Sequence, residues 1–341
     1  MSARHDAALD TLATIPYLPL AAFPTPVEEM PRLRAALGHA APRLLVKRDD
    51  AISFGFGGNK VRKAELITSA AKSAGADTLI TIGGLQSNHC RVTAAAAART
   101  GMRCVLVVNG ERPSQLTANV LLDELLGAEI HFVPSREDRE PVMRAVAERL
   151  KAEGHRPFEV PLGASTPRGA IGFTRAIAEL VDQCPAPDYV VHSSSSGGTQ
   201  AGLVAGCALL GLHTKVIGVS ADEAAGPLAD IVTGIVAGIG RLLGVDGSAL
   251  ANDCRIEVDD RFVGAGYGLP SDASIEAQLL AARTEALFVD HTYTAKALAG
   301  LIGLVREGRF KPTDTVVFWH TGGQVGIFAA PPPPGAPPQR K

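Results

Sequence analysis

Short apolar runs alternate with helical stretches almost without a break from Leu44 to Trp319, and this alternation constrains the fold more than any single residue. Strands are expected near residues 44–46, 78–82, 104–108, 129–133 and 158–160, with helices over 91–100, 117–127 and 137–151. After Gly163 the pattern restarts, with helices over 169–180, 199–210, 224–243, 275–287 and 294–306 and strands at 189–192, 215–219, 255–258 and 315–319. Runs of this kind build mostly parallel sheets with helices on both faces. Two α/β lobes are therefore expected, and a chain of 341 residues with 46% hydrophobic content can bury a core in each. The first forty-odd residues read as a proline-rich approach with a short helix near 31–38, and no internal repeat is visible. The tail 331–341, which opens Pro-Pro-Pro-Pro-Gly-Ala-Pro-Pro, cannot pack as helix or sheet and is expected to be disordered.

Charge and cysteine usage narrow the setting. A net charge of -2 gives no reason to expect nucleic acid or an anionic membrane as partner. The start Met1-Ser2-Ala3-Arg4-His5-Asp6 lacks the basic and apolar regions of a signal peptide, and no apolar stretch reads as long and uninterrupted enough to span a bilayer. The cysteines Cys90, Cys104, Cys184, Cys207 and Cys254 are scattered, without metal-ligand spacing, so free thiols in a reducing cytoplasm and no metal site are expected.

Chemistry concentrates in the turns. Ser53-Phe54-Gly55-Phe56-Gly57-Gly58-Asn59-Lys60 runs into a helix, placing Lys60 at the positive end of the helix dipole, with Arg62 nearby. Both oppose protonation, so Lys60 is a candidate for Schiff-base chemistry, although read alone it is a solvated lysine on a first helical turn. Ser193-Ser194-Ser195-Ser196-Gly197-Gly198-Thr199 lies between a strand and a helix, where amide N–H groups converge on a phosphate. It lacks the Lys-Ser/Thr ending of a nucleotide loop, which favours a single phosphate. Gly83-Gly84-Leu85-Gln86-Ser87-Asn88-His89 repeats the strand–turn–helix logic. There Ser87 reads as an N-cap or as a proton-transfer and carboxylate-binding residue, and Asn88 as an N-cap or a donor to a cofactor oxygen. Tyr267, Tyr293 and the His320-Thr321-Gly322-Gly323 turn stand in late loops at the expected sheet edge.

The set Gly57-Gly58-Asn59-Lys60-x-Arg62-Lys63-x-Glu65, Gln86-Ser87-Asn88-His89, Gly198-Thr199-Gln200-Ala201-Gly202, Tyr267-Gly268-Leu269-Pro270 and His320-Thr321-Gly322-Gly323 resembles the 1-aminocyclopropane-1-carboxylate (ACC) deaminase/D-cysteine desulfhydrase family. These are pyridoxal-phosphate (PLP) enzymes of the tryptophan-synthase-β-like, fold type II class, and the resemblance runs from Pro24 to Phe328. It implies PLP in the cleft between the lobes, a large domain from residues 1–62 and 170–330, a small domain from 63–169, and a homodimer. It makes Lys60 the Schiff-base lysine and Asn88 the partner of the PLP phenolic oxygen. Ser195, Ser196, Gly197, Gly198 and Thr199 would hold the phosphate, Thr294 and Thr321 would flank the ring, and Ser87, Tyr267 and Tyr293 would line the pocket for a small amino acid.

Within the family, ACC deaminases carry Tyr-Glu where this chain has Tyr293-Thr294, and Leu where it has Thr321; the desulfhydrase-like members carry hydroxyl residues at both places. A threonine in place of a carboxylate leaves the ring nitrogen closer to neutral, which suffices when a leaving group drains charge from the substrate. The resemblance thus implies a lyase performing β-elimination, with D-cysteine giving pyruvate, sulfide and ammonia. L-cysteate cleavage, ACC deamination and PLP binding without turnover are the alternatives. Two positions depart from the pattern: His291 stands where relatives have a proline ahead of the tyrosine, and Ser196-Gly197-Gly198 where they have Thr-Gly-Ser or a variant.

Overall fold

The computed structural model describes residues 3–329, so the tail expected to be disordered lies outside the described residues. The chain begins with α1 (Ala3–Thr14), β1 (Val27–Glu29), α2 (Pro31–Leu37), β2 (Arg43–Arg48) and α3 (Lys60–Ser73). There follow β3 (Thr78–Gly84), α4 (Asn88–Thr100), β4 (Arg103–Asn109), α5 (Ala118–Leu125), β5 (Glu129–Val133), α6 (Arg139–Ala152) and β6 (Pro157–Val160). The second series is α7 (Pro167–Gln183), β7 (Tyr189–Ser194), α8 (Gly198–Leu209), β8 (Lys215–Ser220), α9 (Ala225–Leu242), α10 (Gly247–Asp253) and β9 (Ile256–Asp259). It closes with α11 (Asp272–Glu285), α12 (Thr294–Arg306) and β10 (Thr315–His320).

These strands form two sheets, a six-stranded one in the order β1-β2-β10-β7-β8-β9 and a four-stranded one in the order β5-β4-β3-β6. Only β1 runs antiparallel to its neighbour, β2. The central strands are apolar on both faces because helices cover both: Val190 and Val216 pack with α7, α8 and α9, while Val191 and Ile217 pack with α2, α11 and α12. Each such side chain contributes about 1.5–3 kcal/mol by leaving water.

Three elements escape the sequence pattern. α1 has a weak apolar stripe, yet Ala8 and Leu12 are buried in the core around α8. β1 is a three-residue edge strand, and α10 is a short helix capped by Asp246, whose side chain accepts from Ser248 N and Ala249 N. α9 corrects a further expectation, since by length and composition it could cross a membrane. In the fold it buries Leu228, Val232, Val236 and Ile239 in the core. The five cysteines are unpaired, with Cys90, Cys104 and Cys207 buried.

Candidate active site

The carboxyl ends of both parallel sheets open into one cleft. That is where α/β folds place ligands, because the turns and helix N-termini that follow the strands converge there. Its wall includes Lys60, Ser87, Asn88, Ser195, Ser196, Gly197, Thr199, Tyr267, Tyr293 and Thr321. Residues from six separate segments are thus brought together.

Lys60 owes its position to the turn before it. Gly57 and Gly58 both have positive φ and thread between two backbone segments. A Cβ on Gly57 would meet Ile52 O at 2.5 Å and one on Gly58 would meet Thr321 O at 3.0 Å. Gly58 N donates to Asp49 O and Asn59 N to Thr321 O. The glycines therefore admit neighbouring backbone rather than a ligand. Lys60 Nζ donates to Asn59 Oδ1 at 3.1 Å. Its pKa falls to about 8, chiefly through burial and then through the charge of Arg91, with Asp290 opposing. The expected role of Arg62 is corrected here: its guanidinium faces away, bonded to Asp49 and Glu179. Arg91, from α4, is the cation that acts on Lys60, and it also ties Gly57 O at 2.8 Å.

At one end of the cleft the loop 193–199 enters α8. Gly197 has φ +76° and ends the turn. A Cβ on Gly198 would lie 2.7 Å from Ser165 Oγ and 2.9 Å from Lys63 Nζ, so Gly198 is the point where the loop touches its support. Ser196 Oγ and Ser165 Oγ are 2.7 Å apart, and Thr199 Oγ1 accepts from Asn59 Nδ2. Lys63, part of the same motif but given no role by it, is buried and bonds Gly163 O and Ser165 Oγ. Burial pulls its pKa well down, and Lys60 adds to the effect.

Ser87 caps α4, its Oγ accepting from Cys90 N at 3.2 Å. Its hydroxyl proton is left to donate, and no His or carboxylate contacts that oxygen among the described residues. Asn88 Oδ1 accepts from both Arg91 and Asn119, which leaves its amide N–H groups as donors. His89, the next residue, is no acid or base here. Thr81 Oγ1 donates to Val160 O, so His89 Nε2 carries a proton and donates to Thr81, and burial lowers its pKa to about 3.

Tyr267 and Tyr293 share a short hydrogen bond between hydroxyls, their rings edge-on at 5.7 Å. Burial pushes Tyr267 up to about 12 and Tyr293 well above its ordinary value, so both stay protonated at neutral pH. Lys296 holds their two supports together. It is fully buried, and its Nζ donates to Ala221 O, Val263 O and Gly266 O at 3.1, 2.8 and 2.7 Å. The loop ahead of Tyr267 is thereby fastened to the helix that follows Tyr293.

Thr294 is buried beside the cleft and does not line it. Its hydroxyl donates to Asp290 Oδ1 and accepts from Asp290 N, both at 2.8 Å, so it anchors the start of α12 instead of reaching into the cleft. Thr321 does line the cleft, whereas Gly198 contributes backbone behind the loop surface. Arg136, Arg139 and Asp222 also line it, and nothing in their local sequence marks them out.

A family model described as pyridoxal-phosphate dependent enzyme matches residues 18–322. Two D-cysteine desulfhydrases, from Salmonella typhi and Salmonella schwarzengrund, are each 37% identical over 331 residues, covering 94% of this chain and 98% of theirs. A crystal structure of an ACC deaminase homologue superposes with a TM-score of 0.86 at 30% identity, covering 96% of this chain and 97% of that one. A PLP-dependent aspartate racemase shares the fold, with a TM-score of 0.68 at 18% identity.

The cleft fits the cofactor that this family uses. The loop 195–199 offers hydroxyl and amide donors at a helix N-terminus, the complement of a phosphate, and Lys63 braces it from behind through Gly163 O and Ser165 Oγ. Ser194 Oγ and Asn109 Oδ1 are buried in the same wall without a hydrogen-bond partner. The amine of Lys60 and the N–H donors of Asn88 share that wall, as an aldehyde and a ring oxygen require. The chain belongs to the fold type II pyridoxal-phosphate dependent enzymes, as a member of the ACC deaminase/D-cysteine desulfhydrase family.

Proposed function

We propose that this protein catalyses β-elimination from a small amino acid, with D-cysteine giving pyruvate, sulfide and ammonia. The observation that carries the reading is the pairing, in one cleft, of a lysine whose pKa has fallen to about 8 with a tyrosine pair that stays protonated. A base and an acid of separated pKa values are what a proton abstraction followed by departure of a leaving group needs. The full-length similarity to D-cysteine desulfhydrases supports the substrate.

When bound, PLP supplies an electrophilic carbon for the amino group and a conjugated ring that spreads negative charge from Cα. Lys60 Nζ would hold the cofactor's aldehyde carbon, the donors of loop 195–199 its phosphate, and the Asn88 amide its ring oxygen. In its neutral form Lys60 Nζ accepts the Cα proton. Ser87 Oγ, which accepts from Cys90 N with one of its two lone pairs, would donate its proton to a substrate carboxylate oxygen and orient it. The hydroxyl proton that the Tyr267–Tyr293 hydrogen bond leaves free would go to the departing sulfur. Among the described residues no His or carboxylate contacts Ser87 Oγ to activate it as a nucleophile. The proposal extends to the domain division 1–62 with 170–330 against 63–169, and to a homodimer in a reducing cytoplasm, which unpaired thiols support.

The test is a panel of D- and L-cysteine, L-cysteate, β-chloroalanine and ACC given to PLP-loaded protein. Pyruvate with equimolar sulfide from D-cysteine is expected, and ACC should give little 2-oxobutyrate. Pyruvate from none of the β-substituted substrates would leave a PLP protein of another reaction type.

A further inference from the structure

The turn that carries Lys60 and the turn that carries Asn88 meet at one guanidinium. Arg91, in the first turn of α4, is buried behind Asn88. Its Nη2 donates to Gly57 O, and its Nη1 donates to Asn88 Oδ1 at 2.9 Å and to Asn119 Oδ1 at 2.7 Å. Asn119 Nδ2 in turn donates to Asn88 Oδ1 at 3.0 Å and to Gln86 O at 2.9 Å. An arginine can only donate, so both carboxamides must turn their oxygens toward it. The orientation of Asn88 is thereby set by the chain itself. Its oxygen is taken by two donors, while its Nδ2 makes no hydrogen bond among the described residues and the residue lines the cleft. Asn119 is held in place by strain: Ala118, just before it, has φ +48°, a conformation that L side chains rarely adopt. The bend directs Asn119 N at Gln86 Oε1, 2.9 Å away.

The charge of Arg91 is left open. It forms no ion pair among the described residues. Asp123, from α5, is one of two carboxyls that act on it, yet Arg91 Nε and Asp123 Oδ1 are both buried without a hydrogen-bond partner. Burial pushes the Asp123 carboxyl up to about 8, which weakens it as a counter-charge at neutral pH. The other is Asp290, which acts on Lys60 as well and is committed to Thr292 N, Tyr293 N and Thr294. Burial lowers Arg91 itself to about 10, so it stays charged at neutral pH. The remaining titratable neighbours of Lys60 are Lys63, lowered by burial, and His89, which is neutral.

We propose that Arg91 is a positioning residue that readies both groups the cofactor meets: through the Asn88 carboxamide it favours the anionic form of the PLP ring oxygen, and directly it favours the neutral form of Lys60. A cation opposes protonation of each, so one buried charge acts on two sites. A carboxamide whose oxygen accepts from a guanidinium is polarised, and its N–H groups become stronger donors. Asn119 takes part only in the first effect, because it steers Asn88 and carries no charge to act on Lys60. The proposal rests on the assignment of Lys60 and Asn88 to the cofactor, and it holds whichever substrate is turned over.

The experiment titrates the apoprotein with PLP and with 3-deoxypyridoxal phosphate, which lacks the ring oxygen, in the wild type, Arg91→Met, Arg91→Lys and Asn119→Ala. The ratio of the two Kd values isolates that oxygen, since a merely structural defect weakens both cofactors alike. The preference for PLP should shrink about tenfold in Arg91→Met and in Asn119→Ala. The rate of PLP uptake should level off about one pH unit higher in Arg91→Met and stay at the wild-type pH in Asn119→Ala. Arg91→Lys, which keeps the charge and loses the fork, should restore the uptake profile and only part of the preference. Arg91→Gln supplies both readings where Arg91→Met does not fold. A preference that stays constant while both cofactors bind more weakly overturns the proposal, as does an uptake profile that loss of the charge leaves at the wild-type pH. A borohydride-reducible adduct retained in Lys60→Met overturns the cofactor assignment, and the proposal with it. Neither readout uses turnover, so pyruvate from no substrate overturns the elimination reading alone and leaves these two measurements decisive.

Discussion

The two sides of α3 use charge in opposite ways. Beneath it, every buried charge has a partner. Arg62 bonds Asp49 and Glu179, Lys47 bonds Glu179, Gln183 and Thr25 O, and Trp319 Nε1 and Thr25 Oγ1 complete the shell of Asp49. Burial would raise Glu179, yet Arg62 and Lys47 hold it down at about 2. On the cleft side, Lys60 and Arg139 have cationic groups without a contacting carboxylate, as has Lys63 behind the loop 195–199, and burial lowers each of them. One face closes its charges and the other leaves cationic demand open. The difference separates groups that hold the turn 49–59 in place from groups kept available to a ligand.

Four measurements break or sharpen this contrast. The largest effect is expected from Lys60→Met, which should lower pyruvate formation on the order of 10⁴-fold. It should also remove the yellow, borohydride-reducible adduct while leaving the denaturation midpoint unchanged or higher. A retained adduct would assign another lysine. Arg62→Met should do the reverse: it strands Asp49 and Glu179 and should cost about 3–5 kcal/mol in urea unfolding. A stability close to wild type would show that the lower face is not the closed network its geometry describes.

Gly198→Val is milder. Its side chain would press on Ser165 and Lys63, weakening PLP affinity by about ten- to a hundredfold, with less effect on turnover at saturating cofactor. An unchanged PLP titration would move the phosphate elsewhere. The smallest effect is on pH dependence. The neutral amine of Lys60 is the reactive form, so the rate of PLP uptake by the apoprotein should rise about tenfold per pH unit below its pKa and level off near pH 8. A rise continuing toward pH 10 would mean that burial does not tune this lysine.

Much of this architecture was legible because the relevant signals are local. Alternating strands and helices predicted both sheets, and glycine turns ahead of helices led to Lys60, Ser87, Asn88 and loop 195–199. What the sequence hid depends on distant contacts. Arg62 is two residues from Lys60 but turns toward Asp49, while Arg91, thirty-one positions on, supplies the charge. Thr294 lies beside Tyr293 in the chain, yet the first turn of α12 commits its hydroxyl to Asp290. Arg136 and Arg139 look like ordinary surface charges until β5 is seen to end at the cleft. A usable signal existed for Lys296: a lone charge in the helical run Ala295-Lys296-Ala297-Leu298, where burial demands a dedicated set of acceptors.

That lysine behaves as a tethered counterion. Three carbonyl oxygens facing one point would suit a free monovalent cation, whose occupancy would vary with the salt around it; an ammonium on a side chain cannot be diluted away. The arrangement exchanges dependence on salt for dependence on acidity. Burial lowers the pKa of Lys296 to about 8, and only the protonated form can serve all three oxygens. Lys60, in its proposed role, needs the opposite state at nearly the same pH. As alkalinity grows, the amine that does chemistry is released while the strut beneath Tyr267 slackens, so the molecule's working range is bounded by two lysines asking contrary things of the solvent.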